Sequence, residues 1–292
     1  VSGIEPHPPA PLKVGLQVAS ALVRALGPAR YPFADGLGMA GYALSTTRRR
    51  NAARNHRRLD PAISVREARR RARASFRQFA RSGIDFVWAC GLSPEAARRH
   101  SRWLPEPERP AVLGQPPNIG VFALTHFGNW DMAANIAYSG GLLLTTVMAT
   151  TGPRAITDLV VWARRANEMQ VYEASHAAMG LVRAHRQGRF VAILSDLPEG
   201  GPTVTVDYCG GPVPFSSVPA WLALRTGVPL YPVACWRDQH DEYQLLVMEA
   251  IAVTTEDDER SIMQRVAAAI EPAVRAHPEQ WYPFREVYAD GG

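Results

Sequence analysis

The sequence predicts an α/β fold: a central mixed β-sheet flanked by helices, with amino-terminal amphipathic helices packed on it. Three observations carry this. From residue 119 onward, short apolar runs rich in strand formers alternate with stretches of helical period. Such alternation builds a sheet covered by helices. Before residue 105 only helical periodicity is found. The chain has 292 residues, 47% of them hydrophobic, which suits one globular domain.

Pro6, Pro8 and Pro9 make the first ten residues irregular. Leu12, Val14, Leu16, Val18, Leu22, Val23 and Leu26 then suggest an amphipathic helix over 11–26. A second follows over 33–45, softened by Gly36, Gly38 and Gly41. A basic stretch holds Arg48, Arg49, Arg50, Arg54, Arg57 and Arg58, and Asp60-Pro61 breaks it. Ser64-Val65-Arg66-Glu67 is a capping box that starts a helix. Along it Val65, Ala68, Ala72, Phe76, Phe79 and Val87 recur at helical spacing. Arg66, Arg70, Arg73, Arg77 and Arg81 line the other side. Such a helix either faces water with its arginines or meets an anionic membrane surface. A short helix is expected near Ser93-Pro94. Pro105 to Pro117 form a rigid, non-helical passage. Strands are then predicted over 119–125, 142–148, 189–195, 203–208, 229–236 and 243–251. Helices are predicted over 130–138, 153–168, 175–187, 217–226 and 258–276. One domain, 1–292, results: a helical, membrane-facing portion (1–104) and an α/β core (105–292).

The chemistry concentrates at His126-Phe127-Gly128-Asn129-Trp130-Asp131. A histidine at the carboxyl end of a buried strand, just before a helix, sits where α/β proteins place their sites. Asp131 falls in the first turn of that helix, from where its carboxylate can fold back onto the imidazole. A carboxylate on one ring nitrogen fixes the tautomer and leaves the other nitrogen as a base. A second buried strand, Phe190 to Ser195, delivers Asp196 at its end, so the two strands can bring His126 and Asp196 together. Asp196 either supports the site or caps a turn before Pro198. Arg164 and Arg165 lie on the helix between these strands, and Arg225 on the helix after Asp207-Tyr208-Cys209-Gly210-Gly211.

Thr125-His126-Phe127-Gly128-Asn129-Trp130-Asp131 closely resembles the signature of the bacterial lipid A and phosphatidylinositol mannoside acyltransferases. These belong to the wider glycerophospholipid acyltransferase group with its His-x4-Asp motif. The resemblance runs from about Arg48 to Trp281. The family's second motif is an acidic residue at a strand end, a glycine-containing loop, then a strand ending Phe-Phe-Gly. Here Ser195-Asp196-Leu197 leads through Gly200 and Gly201 to Asp207-Tyr208-Cys209-Gly210. The mannoside acyltransferases have glutamate where Asp196 stands. The family arginine on the intervening helix falls on Arg164. Pro219 to Gly227 and His277 to Trp281 also match. The sequence departs where Thr150 and Thr151 replace a family arginine, and where Tyr208-Cys209 replaces the aromatic pair.

The resemblance implies transfer of a fatty acyl group from an acyl thioester to a hydroxyl of a glycolipid or phospholipid. The donor is acyl-CoA or acyl carrier protein, and no further cofactor or metal is expected. His126 is the general base, Asp131 orients it, and Asp196 binds acceptor hydroxyls or supports the site electrostatically. Backbone N–H groups of Gly128 and Asn129 would bind the oxyanion. Arg164 would hold a phosphate. Trp130, with Phe127, Met148 and Trp221, would line an apolar slot, and Arg225 completes the substrate-binding set.

Charge and cysteine usage bound the setting. The net charge is +5, and Lys13 is the only lysine beside 31 arginines. Cys90, Cys209 and Cys235 form no CxxC pair, which argues against a disulfide framework or zinc ribbon and fits a reducing compartment. No secretory signal is recognised, and no segment approaches the ~20 apolar residues that span a bilayer. Peripheral attachment to the cytoplasmic face of the cell membrane is the expectation. A serine esterase is unsupported, since no Gly-x-Ser-x-Gly elbow occurs. A thioesterase using water at His126, or a non-catalytic lipid-binding protein, remains open. A metal at His126, Asp131 and Asp196 has no supporting spacing. The basic charge alone suggests nucleic acid, but no recognition motif accompanies it.

Overall fold

The computed structural model describes residues 3–90, 92, 93, 96, 99, 101–104, 119–149, 153–174 and 177–289. The expected helix near Ser93-Pro94, the proline passage from 105 to 117, and Thr150 and Thr151 lie wholly or largely outside them.

Four helices come first. Helix α1 (Ala10–Leu26) has Pro11 in its first turn, where a missing N–H costs nothing. Helix α2 spans Arg30–Leu44. The basic stretch is itself a helix, α3 (Thr46–Leu59). Its sequence hides this because it is polar nearly all round; a narrow seam of Ala52, Asn55, His56 and Leu59 is buried. Helix α4 (Val65–Ala89) starts as predicted, with the Ser64 side chain accepting the Glu67 N–H. Only half of the capping box forms, because the Glu67 carboxylate is taken by Arg70 and Arg71. Arg77 and Arg81, expected on a free basic face, both pair with Asp35 of α2.

The rest alternates strands and helices as the sequence predicts, with three further strands over 101–104, 170–173 and 211–216. Strand β1 is Ser101–Leu104, β2 Val121–Leu124 and β3 Leu144–Met148, with α5 (Trp130–Ser139) between the last two. Helix α6 (Arg154–Arg164), β4 (Gln170–Glu173), α7 (Ala177–Arg186) and β5 (Phe190–Leu194) follow. Then come β6 (Thr203–Tyr208), β7 (Gly211–Ser216), α8 (Val218–Thr226), β8 (Leu230–Arg237), β9 (Tyr243–Val247) and α9 (Glu259–Ala276). The main sheet has the order β1-β9-β8-β2-β5-β3-β4. It is mixed, since every pair is parallel except β8 with β9. Strands β6 and β7 form a separate hairpin. Placing 101–104 in the helical portion is corrected: this segment pairs with β9 at the sheet edge.

One core cluster joins α7, α8, α9 and the hairpin to the sheet. Another joins α5 to β2, β3, β8 and β9. The amino-terminal helices dock through polar ties. Buried Asp85 of α4 accepts from Arg30, Arg237 of β8 and Tyr243 of β9. Buried Asn55 of α3 donates to the carbonyls of Pro283 and Arg285. Among the described residues no helix is long and apolar enough to cross a membrane.

Candidate active site

Strands β2 and β5 are parallel neighbours with Leu124 opposite Leu194. The Ser195 N–H donates to the Leu124 carbonyl at 2.8 Å and carries the alignment one step further. Two residues past the paired leucines, each strand delivers a functional side chain. Asp196 Oδ1 lies 2.8 Å from His126 Nδ1 and also accepts the His126 main-chain N–H at 2.8 Å. Asp196 is buried, while the imidazole is 26% exposed. The Trp130 ring stands edge-on to the imidazole, 5.2 Å between centroids.

Asp131 is not the partner of His126, and that expectation is corrected. Its carboxylate receives Arg164 Nε at 2.8 Å and Nη2 at 3.3 Å. The cause is direction. Asp131 opens α5, and Arg164, in the last turn of α6, reaches it across 33 residues of sequence. Arg164, expected to hold a phosphate, is thereby neutralised.

Gly128 and Asn129 also take other roles than expected. Gly128 has φ +65°, and a Cβ there would overlap the carbonyl oxygen of Cys235, so glycine permits strand packing at this point. The Gly128 N–H donates to the Gln280 carbonyl and the Asn129 N–H to the Cys235 carbonyl, so neither is available to an oxyanion. Asn129 is buried as the cap of α5. Its Oδ1 accepts the Met132 N–H, and its amide donates to Ser82 O and Tyr243 Oη. Arg225 is exposed near the carboxyl end of α8 and does not line the cavity described next.

His126, Trp130, Asp131 and Arg164 share a cavity of about 1060 Å³. Ala133, Ala134 and Ala137 of α5 and Phe122, Leu124, Leu144 and Met148 of the sheet line its apolar part. Trp221 and Met148 line it as expected; Phe127 is core. Lining residues not anticipated include Arg48 and Phe79 from the amino-terminal helices, and Tyr282, Phe284 and Arg285 from the segment after Trp281. The only hint of the latter was an aromatic run, Trp281-Tyr282-Pro283-Phe284, in a stretch without helical or strand period.

A family model described as bacterial lipid A biosynthesis acyltransferase matches residues 14–288. The chain belongs to the bacterial lipid A biosynthesis acyltransferase family. Among curated relatives, a phosphatidylinositol mannoside acyltransferase of Mycobacterium tuberculosis is 28% identical over 166 residues, covering 56% of this chain and 52% of that protein. One of Mycolicibacterium smegmatis is 27% identical over 168 residues, covering 56% and 54%. The match spans about half the length of these relatives.

Proposed function

We propose that this chain moves a fatty acyl group from an acyl thioester, carried by coenzyme A or acyl carrier protein, to a hydroxyl of a glycolipid or phospholipid. The observation that carries the reading is His126 Nδ1 held 2.8 Å from Asp196 at the wall of a largely apolar cavity. An ionised carboxylate only accepts hydrogen bonds, so Asp196 takes Nδ1–H and leaves the Nε2 lone pair as base. The acceptor hydroxyl gives its proton to Nε2 as its oxygen attacks the thioester carbonyl. Asp196 stabilises the imidazolium. The tetrahedral intermediate then expels the thiolate, which takes the proton back from Nε2. The positive end of α5, beginning at Trp130, favours the oxyanion.

The acyl chain lies in the apolar part of the cavity. From His126 back to Phe122 is four residues, or roughly 13 Å of strand. Alanines on α5 leave room there that larger side chains would fill. The relatives' names make a phosphatidylinositol mannoside the first acceptor to try. The chain meets such an acceptor as a peripheral protein on the cytoplasmic face of the cell membrane. Exposed Val14, Val18 and Leu22 of α1 and Phe33, Leu37 and Leu44 of α2 support that attachment.

A second reading has its own observation: the partly exposed imidazole admits water, so slow thioester hydrolysis accompanies transfer. The test incubates a labelled acyl thioester with the full chain, with and without glycolipid. Acylated glycolipid formed by the wild type and not by folded His126→Ala is expected. Free fatty acid released at the same rate whether or not acceptor is present would make the protein a thioesterase.

A further inference from the structure

The cavity carries an unbalanced charge. Its described ionic lining comprises three guanidiniums, Arg48, Arg164 and Arg285, and two carboxylates, Asp131 and Glu199. Each carboxylate is already engaged. Asp131 binds Arg164 through both oxygens, and Glu199 lies 3.6 Å from Arg285. Three cations less two anions leaves one positive charge, and it sits on Arg48, which has no ion pair among the described residues. Arg48 occupies the first turn of α3 and lines the same cavity as Phe79 and Phe284. Arg285 lines that cavity too, and the Asn55 amide of α3 holds its main-chain carbonyl at 2.8 Å.

We infer that Arg48, with Arg285 in the lining of the same cavity, is the subsite for a substrate phosphate. This rests on the acyl-transfer reading. In that reaction the acyl chain is neutral, and the anionic groups of the substrates are phosphates: those of the donor's pantetheine arm or that of an acceptor phospholipid headgroup. Arginine recognises a phosphate with a planar fork of donors. Arg164, the cation nearest the motif in sequence, has that fork filled by Asp131. The exposure of Arg48 suits a group entering from outside while the acyl chain goes inward along the sheet.

Binding without turnover tests this, so its outcome is separate from that of the transfer assay. Titration calorimetry of the full chain at low salt uses coenzyme A against pantetheine, and glycerophosphoinositol against inositol. Arg48→Gln is expected to weaken one phosphate-bearing probe by about tenfold or more. Its phosphate-free counterpart is unaffected, and Arg48→Lys recovers part of the loss. Arg285→Gln weakens the same probe. Loss for coenzyme A assigns the phosphate to the donor, and loss for glycerophosphoinositol to the acceptor. The inference is overturned if neither phosphate probe binds the wild type, if neither responds to Arg48→Gln, or if each probe and its phosphate-free partner weaken alike.

Discussion

Asp196 serves His126 twice, through the ring and through the main-chain N–H, and the two substitutions at the motif's carboxylates therefore differ in kind. Asp196→Asn can present an amide N–H to Nδ1 and select the wrong tautomer. It is expected to lower kcat by roughly 10²–10⁴-fold with little change in KM. Asp131→Asn leaves the mostly buried Arg164 half paired, at a cost of about 1–3 kcal/mol of stability and with the smaller loss of kcat. Melting curves and steady-state kinetics on both variants check this. A collapse of kcat in Asp131→Asn at unchanged melting temperature would return Asp131 to the imidazole. A second histidine reports on stability instead. His56 is fully buried, its Nε2 meets Ser75 Oγ at 2.9 Å, and its Nδ1 has no hydrogen-bond partner among the described residues. Burial, aided by the charge of Arg71, lowers its pKa to about 3. The unfolded chain, with an ordinary histidine, takes up that proton first as pH falls below about 6.5. Stability from this group is complete above that pH and is lost on the way down to about 3, at up to ~1.4 kcal/mol per pH unit. Denaturant midpoints at pH 7.5 and 5 should converge in His56→Gln relative to the wild type.

Under the proposed reaction, helix α5 is the element that decides which acyl chains fit, because its alanines line the apolar part of the cavity. Ala137→Phe, eleven residues beyond His126 in sequence, should block long acyl thioesters and spare short ones. Competition between donors of different length reads the shift, and an unchanged preference would place the acyl chain elsewhere. Elements with a clean period were legible. Strands β2, β5 and β8 fall within two residues of their predicted bounds, since apolar runs between prolines and glycines leave little choice. Strand β7 was not, because Pro212 and Pro214 read as loop; both sit in a two-stranded hairpin, where a missing N–H can face away from the partner. In the site, strand-end placement found His126 and Asp196. Closeness in sequence misdirected the choice of carboxylate, because the turn of α5 aims Asp131 at α6. This part of the cavity lining could not be read, as Arg48, Phe79 and Arg285 come to one cavity only through the docking of α3 and α4 on the segment after Trp281.

At the scale of the whole molecule, much of the arginine surface is already spent. Arg70 and Arg71 pair with Glu67, and Arg77 and Arg81 with Asp35, so less charge is free for the proposed membrane attachment than the residue count suggests. Exposed apolar side chains on α1 and α2 remain. Sedimentation with anionic vesicles should weaken as salt is raised but leave a bound fraction, and Val18→Asp with Leu22→Asp should remove that fraction. Complete release of the wild type by salt would assign attachment to charge alone. The sheet order has one more consequence, and it concerns synthesis. His126 and Asp196 are 70 residues apart, and β8, which flanks β2 on its other side, comes later still. A ribosome adding about 5–20 residues per second leaves β2 without β5 for roughly 4–14 s. Through that interval Val121–Leu124 is an apolar strand with both edges open, the kind of segment that pairs with a neighbouring chain if nothing shields it. The strand that carries the base is thus exposed on both sides through that interval, and slower growth at lower temperature should raise the soluble yield.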